Sequence, residues 1–263
     1  MQTENKIYHY YHAYADGPDS IPVVQEHLYN LVSSNLSKYL EKFYIGIVGS
    51  EINRKNLKEM LSTFIKDIQF EILFEEPLGY EQITLEKMHE HAKFQEGYYF
   101  YAHSKSSSRN RQSNKCWMKT MEVFNVLKWE QAVKSLIDYD AVGCFWMTYE
   151  KFPKHVHWSH TIKNTNSFFA GNYWWTTSSV IKDLPKPDLT NRYMAEQWIG
   201  NKVDLIVHDS RVGIPKPKNY YCGKKVFSCI CKKNRLLKKI RNISFYLAIL
   251  ITIYLSITKI LSQ

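Results

Sequence analysis

Between Phe168 and Ile199 the sequence reads FFAGNYWWTTSSVIKDLPKPDLTNRYMAEQWI, which holds many of the side chains here that could do chemistry. The adjacent Trp174 and Trp175 point to opposite sides of an extended backbone, so a single core does not easily take both. One ring is then expected to stand free as an apolar platform for the C–H face of a sugar, with Gly171 and Asn172 beside it. Asn172 also offers a partner to an indole N–H, which a buried Trp needs. Arg192 and Glu196 follow at i,i+4, where a guanidinium on a helix can orient a carboxylate. A plain surface ion pair, worth under ~1 kcal/mol, has the same spacing.

A second cluster lies upstream. HSKSSSRNR, residues 103–111, sets His103, Lys105, Arg109 and Arg111 among small hydroxyl residues. Fixed cations with hydroxyl and backbone donors suit a phosphate; a solvated basic loop reads the same way. The literal DxD, Asp138-Tyr139-Asp140, precedes a strand and so falls at the wrong end of a sheet for ligand binding, as a helix-end or turn feature. His155, His157 and His160 in KHVHWSH have i,i+2 spacing that suits a metal on a strand, but no carboxylate lies near them in sequence. A requirement for divalent metal, Mn or Mg, stays open.

The elements that must position these groups alternate. Strand-like runs at Lys6–Tyr14, Phe43–Val48, Ile68–Phe74 and Tyr98–Ala102 are separated by helical runs at Ile21–Leu36, Asn53–Phe64 and Tyr80–Phe94. A long helix is predicted near Trp117–Ile137, then a strand at Ala141–Trp146. Short apolar strands separated by such helices indicate βαβ units and a buried parallel sheet. Ligands bind outside the carboxyl ends of such strands, which singles out the loops Ala13–Asp19, Gly49–Asn53, Glu75–Tyr80 and His103–Arg111.

Charge divides the chain. Of 35 Lys and Arg against 25 Asp and Glu, twelve of the basic residues follow Asp209 and no acidic one does. The preceding body is nearly neutral, which argues against a nucleic-acid-binding body. The tail reads as a polybasic collar from Lys224 to Arg241 followed by the uncharged run ISFYLAILITIYLSIT from Ile243. Sixteen helical residues rise about 24 Å, short of the ~30 Å hydrocarbon core unless Lys259 snorkels. We therefore expect a C-terminal membrane anchor over 243–261, joined by a basic juxtamembrane linker over 210–242 to a domain over 1–209. The positive-inside rule would put that domain in the cytosol. Five cysteines without zinc-ligand spacing fit a reducing compartment, with juxtamembrane palmitoylation open to Cys222, Cys229 and Cys231.

Beyond these local patterns, YYFYAHSKSSSR resembles the YLHTKG-type segment of small GT-A-like glycosyltransferases. FFAGNYWWTTSSVIKDLP followed by RYMAEQWIG resembles the same proteins' GNFWW…LP…R…E.W block. That group occurs in bacterial polysaccharide loci and large DNA viruses and is similar to rhamnan-synthesis proteins. The resemblance covers Ile7 to Gly200; Ser104 stands where Thr is usual, and Ser106 replaces a Gly. It implies a GT-A-like, mostly parallel α/β sheet flanked by helices. It also implies a nucleotide-sugar co-substrate, a glycan, lipid or protein acceptor, and hexosyl or deoxyhexosyl transfer in polysaccharide biosynthesis. His103 and Lys105, supported by Arg109 or Arg111, would face the donor diphosphate, and Asp16 the nucleotide. Gly171, Asn172, Trp174 and Trp175 would hold sugar, and Glu196, oriented by Arg192, would be the base. The alternatives are a catalytically inactive nucleotide-sugar or glycan-binding module and a membrane-tethered phosphoinositide or nucleic-acid binder.

Overall fold

The computed structural model describes residues 6–64, 66–104, 112–147, 167–191 and 194–211. The chain divides into two units, Met1–Gly213 and Ile214–Gln263. All of the described residues belong to the first unit.

Apolar and aromatic alternation produces the strands β1 (Ile7–Tyr14), β2 (Leu40–Val48), β3 (Phe70–Glu76) and β4 (Tyr98–His103). Between them come α1 (Ser20–Ser33), α2 (Glu51–Ser62) and α3 (Glu81–Ala92), each burying one apolar stripe. Next in the chain are α4 (Gln112–Glu122), a π-helical turn (Val123–Leu127), α5 (Trp129–Ser135), β5 (Ala141–Gly143), β6 (Trp146–Met147), β7 (Phe168–Phe169) and β8 (Trp174–Thr177). The last elements are α6 (Ser178–Lys182), α7 (Met194–Gln197) and β9 (Val207–Asp209). One seven-stranded sheet runs β3-β2-β1-β4-β8-β5-β9, and β6 pairs with β7 apart from it. All neighbours in the large sheet are parallel except β8, which is antiparallel to both β4 and β5.

The alternation of β1 serves two helical layers. Tyr10 and His12 reach His91 and Thr84 of α3 on one face, while His9 reaches His27 of α1 on the other. Across the α1 face, Phe43, His9, Phe100 and Trp175 stack in a row at ring spacings of 4.7, 4.4 and 4.7 Å. Covered on both faces, the central strands β1 and β4 are almost wholly buried.

Three expectations need correcting. The single helix over 117–137 is interrupted by the π-helical turn. There Asn125, fully buried, turns its side-chain amide onto the Met121 carbonyl at 3.0 Å while its own carbonyl accepts from Trp175 Nε1 at 2.9 Å. A side chain that competes for backbone carbonyls in this way disturbs the helical ladder. The strand expected over 141–146 ends at Gly143, because Phe145 takes a left-handed φ of 65° while Asp209 accepts from the Phe145 and Trp146 N–H groups. The fold class included a membrane span and the localisation a cytosol-facing anchored body. Among the described residues no helix is long and apolar enough to cross a membrane, and the longest, α1, has 14 residues. Residues 243–261, which prompted that expectation, lie outside the described residues, as do the collar and KHVHWSH.

Candidate functional site

The chain reverses its direction across the sheet between β1, which leads on to β2, and β4, which is added on the other side of β1. Ligand crevices in open α/β sheets form at the carboxyl ends of strands flanking such a point. Here the two ends are stitched together: Ser104 N–H donates to the His12 carbonyl at 2.9 Å, and Tyr14 N–H to Ser104 Oγ at 2.8 Å. Beside them Asp16 Oδ1 accepts from Ser50 N, Ser50 Oγ and Asn53 Nδ2 at 2.8, 2.8 and 2.9 Å. The carboxylate of the first βα loop thus fixes the start of α2. Its slight desolvation works to raise its pKa, and the Asn53 and Ser50 donors outweigh that and lower it.

The densest polar cluster sits next to it on the α3 face. Glu81 opens α3 after Gly79, and His103 closes β4; their Oε1 and Nδ1 are 2.6 Å apart, with side chains 22% and 10% exposed. His103 Nε2 lies 3.1 Å from the Gly171 carbonyl. Each ring nitrogen thus has an acceptor within hydrogen-bond reach. Glu81 Oε2 accepts from Asn172 Nδ2 at 2.6 Å and from Tyr101 OH at 3.4 Å. Asn172 Oδ1 accepts from Trp174 Nε1 at 2.7 Å, and Asn172 Nδ2 also reaches the Ala195 carbonyl at 3.3 Å. The ends of β4 and α3 therefore meet at the Glu81 carboxylate, and Asn172 ties β8 and α7 to it. Burial would raise the Glu81 pKa, but the His103 charge and the hydrogen bonds hold it at about 2. Burial also lowers His12, hydrogen-bonded to Thr84, to about 4, so it stays a neutral member of the same edge.

Gly171 and Asn172 supply the backbone for this meeting. Gly171 has φ 94° and Asn172 φ 53°, and a Cβ at Gly171 would lie 2.5 Å from Met121 Sδ. That left-handed pair turns Asn172 inward, so its amide serves Glu81 on one side and the indole on the other.

Several residues singled out in the sequence converge here. His103, Gly171 and Asn172 belong to the cluster, and Glu196 follows Ala195 on α7. Burial, then Glu81, and less strongly Glu196 push the Tyr101 hydroxyl well above its usual pKa, so the Glu196 carboxylate lies within electrostatic reach of Tyr101. Asp16 lies at the neighbouring loop. Lys105, Arg109, Arg111 and Arg192 lie outside the described residues. The open tryptophan platform does not form: Trp174 and Trp175 are both 0% exposed. They do point to opposite faces, but β8 lies inside the sheet with a packed layer on each side, so each face buries one ring. Asp140 is placed as expected, at the amino end of β5, where its backbone N–H donates to the Ile206 carbonyl and its carboxylate accepts from Ile206 N–H. Among the described residues no group of three or more His, Cys, Asp or Glu side chains could hold a metal ion. Glu81 was not foreseen; its only signal was an acidic first turn in a loop at the carboxyl end of the sheet.

No protein-family model matches this sequence, and no curated protein matches it. Among solved structures, the chain is similar to 4-diphosphocytidyl-2C-methyl-D-erythritol synthase from Anaerococcus prevotii. The TM-score is 0.43 and the identity 10%, over 78% of this chain and 87% of that one. It is also similar to HddC from Yersinia pseudotuberculosis, with TM-score 0.40 and 12% identity over 78% and 89% of the two chains. At such scores what the chain does has to come from its own residues.

Proposed function

We infer that the chain is a transferase that moves a sugar from a nucleotide-linked donor to a hydroxyl acceptor at the carboxyl edge between β1, β4 and β8. The observation that carries this reading is the Glu81–His103–Asn172 cluster, with Glu196 on α7 within electrostatic reach of Tyr101 beside it. A charged, hydrogen-bonded centre sits where open α/β sheets bind ligands, with a carboxylate on a separate element beside it. Glu81 has both oxygens committed, so it positions rather than reacts. Glu196 is the proposed base: it takes the proton of the acceptor hydroxyl as that oxygen bonds to the donor's anomeric carbon. The bond from that carbon to the diphosphate breaks, and the nucleoside diphosphate departs. Its developing charge calls for cations, and Lys105, Arg109 and Arg111 follow directly on β4 in the sequence. His103 is not proposed as a diphosphate ligand, since both its nitrogens are engaged; it holds Gly171 and Glu81. Asp16 would contact the nucleotide through the switch-point loop, and Arg192 would orient Glu196. A glycosyl acceptor on a glycan, a lipid or a protein fits this chemistry equally.

The test is to incubate the full chain with a panel of nucleotide-sugars, with and without Mn²⁺, and measure free nucleoside diphosphate. Release restricted to one donor class, reduced about 10²-fold or more in Glu196→Gln, is the expected result. No release and no thermal shift with any donor would sink the transferase reading.

A further inference from the structure

On the opposite face of the sheet, three ionisable side chains form a line closed to solvent. Glu122 at the end of α4, His27 in α1 and His9 in β1 are 3%, 1% and 0% exposed. Glu122 Oε1 lies 2.7 Å from His27 Nδ1, His27 Nε2 lies 2.8 Å from His9 Nε2, and His9 Nδ1 lies 3.0 Å from the Phe100 carbonyl. Glu122 Oε2 accepts from Asn30 Nδ2 at 3.0 Å.

Counting hydrogens assigns the protons. A carbonyl only accepts, so His9 carries a hydrogen on Nδ1. Two ring nitrogens in hydrogen-bond contact need one hydrogen between them, and a carboxylate oxygen against a ring nitrogen needs another. The three contacts therefore hold three hydrogens, one more than two neutral imidazoles supply. That additional proton makes the trio neutral as a whole, held at the Glu122–His27 contact either by a carboxylate facing an imidazolium or by a carboxylic acid facing a neutral ring. Burial, followed by the charge on His27, pushes His9 well below the usual histidine pKa, while the Phe100 carbonyl opposes it. His27 is the ring that meets the carboxylate.

Two tyrosines pack against the His27 ring. Tyr11 of β1 stacks on His27 with ring centroids 4.5 Å apart, and Tyr173, just before β8, meets it edge-on at 6.3 Å. Burial first, and then neighbours that include Glu122, push both hydroxyls well above the usual tyrosine pKa, so both stay neutral. Two further contacts run along the same pair of helices nearer the surface: Lys115 to Asp19 at 3.2 Å and Lys119 to Glu26 at 3.7 Å. Lys115, Lys119 and Glu122 on α4 thus match Asp19, Glu26 and His27 in or beside α1, and of these three contacts among the described residues the Glu122–His27 pair is the buried one.

We propose that His27 is a buried imidazolium that, paired with Glu122, holds α4 in register on α1 and makes that packing sensitive to alkaline pH. Loss of the proton leaves two lone pairs facing each other and a buried carboxylate without its counter-charge. A proton held in the folded chain and released on unfolding makes stability fall as pH rises. The inference is independent of any substrate.

The test is ring-nitrogen NMR of the intact, ¹⁵N-histidine-labelled chain near neutral pH. Expected are protonated signals from both His27 nitrogens, and for His9 a single proton, on Nδ1. An unprotonated nitrogen on His27 would overturn the proposal. Thermal melts between about pH 6 and 9, the range over which an ordinary histidine is deprotonated, give a second reading. Wild type should lose melting temperature with rising pH more steeply than Glu122→Gln, and equal slopes would overturn it. If the variant fails to fold, the NMR of the wild type decides.

Discussion

Glu81 Oε1 and His103 Nδ1 are 2.6 Å apart, and this contact joins the first residue of α3 to the last residue of β4. Those residues are 22 apart in sequence, and β4 lies across β2 and β1 from β3, the strand that leads into α3. The pair therefore closes the carboxyl edge over the switch point.

That pair sets an acid limit on stability. Burial works against the Glu81 carboxylate, yet His103 and Asn172 hold its pKa at about 2 instead of 4.5. A carboxylate depressed in the folded state stabilises above its unfolded pKa, and the contribution is lost as pH falls through the folded value. The full shift is worth at most about 3 kcal/mol. Urea denaturation of wild type should show stability falling between about pH 4.5 and 2, and Glu81→Gln should be less stable at neutral pH and flatter in acid. Parallel acid limbs in the two proteins would show that another group sets the limit.

Asn172→Ala should cost more than its size suggests. The substitution leaves the buried Trp174 N–H without its acceptor and Glu81 Oε2 without its 2.6 Å donor. Each buried polar group left unsatisfied costs about 1–3 kcal/mol, so a loss of about 2–6 kcal/mol is expected in denaturant titrations. Asn172→Asp should be at least as harmful, since it places a second carboxylate against Glu81. A loss under about 1 kcal/mol for either would mean that the amide does not hold the cluster.

The first half of the fold was legible because its strands and helices are each defined by local periodicity: every strand from β1 to β4 falls within a few residues of the apolar run that predicted it. The carboxyl-edge rule then pointed to the right loops. What could not be read was long-range. Whether Trp174 and Trp175 are covered depends on β8 lying inside the sheet between β4 and β5, a pairing that nothing in WWTT specifies. Glu81 looks like any acidic helix start until His103 and Asn172 are brought to it from later in the chain. The break after Glu122 likewise depends on Asn125 meeting Cys144 and Trp175, two contacts with distant segments. His9, His27 and Glu122 gave no spacing signal at all, because they sit on a strand and two helices.

Gly171→Ala should be destabilising even though only a methyl is added. Its φ of 94° disfavours any side chain, and the new Cβ would meet Met121 Sδ at 2.5 Å and Trp117 Cε2 at 3.1 Å. Strain and overpacking of this kind cost about 1–3 kcal/mol each. Adding Met121→Ala should recover the steric part and leave the backbone part, so the double variant should be less destabilised than the two single effects summed. Strict additivity in that cycle would show that the Met121 contact is not what limits this position.

Asp16 separates a turn role from a donor role. Its Oδ1 takes all three donors from Ser50 and Asn53, so Asp16→Asn can keep those bonds through its own Oδ1 while losing the charge. The residue is solvent-exposed, so loss of the charge alone should change stability by no more than about 0.5 kcal/mol. Asp16→Ala removes the acceptor and should loosen the start of α2, at about 1 kcal/mol, the scale of a lost helix-start hydrogen bond. On the proposed function, the Asn variant should also raise the KM for the nucleotide-sugar with kcat little changed, because it removes a charge that would meet the nucleotide and leaves the frame intact. If the Asn variant binds donor as wild type does while the Ala variant loses both stability and binding, Asp16 serves only to fasten β1 to α2. The nucleotide would then have to be recognised from the Glu75–Tyr80 side of the edge.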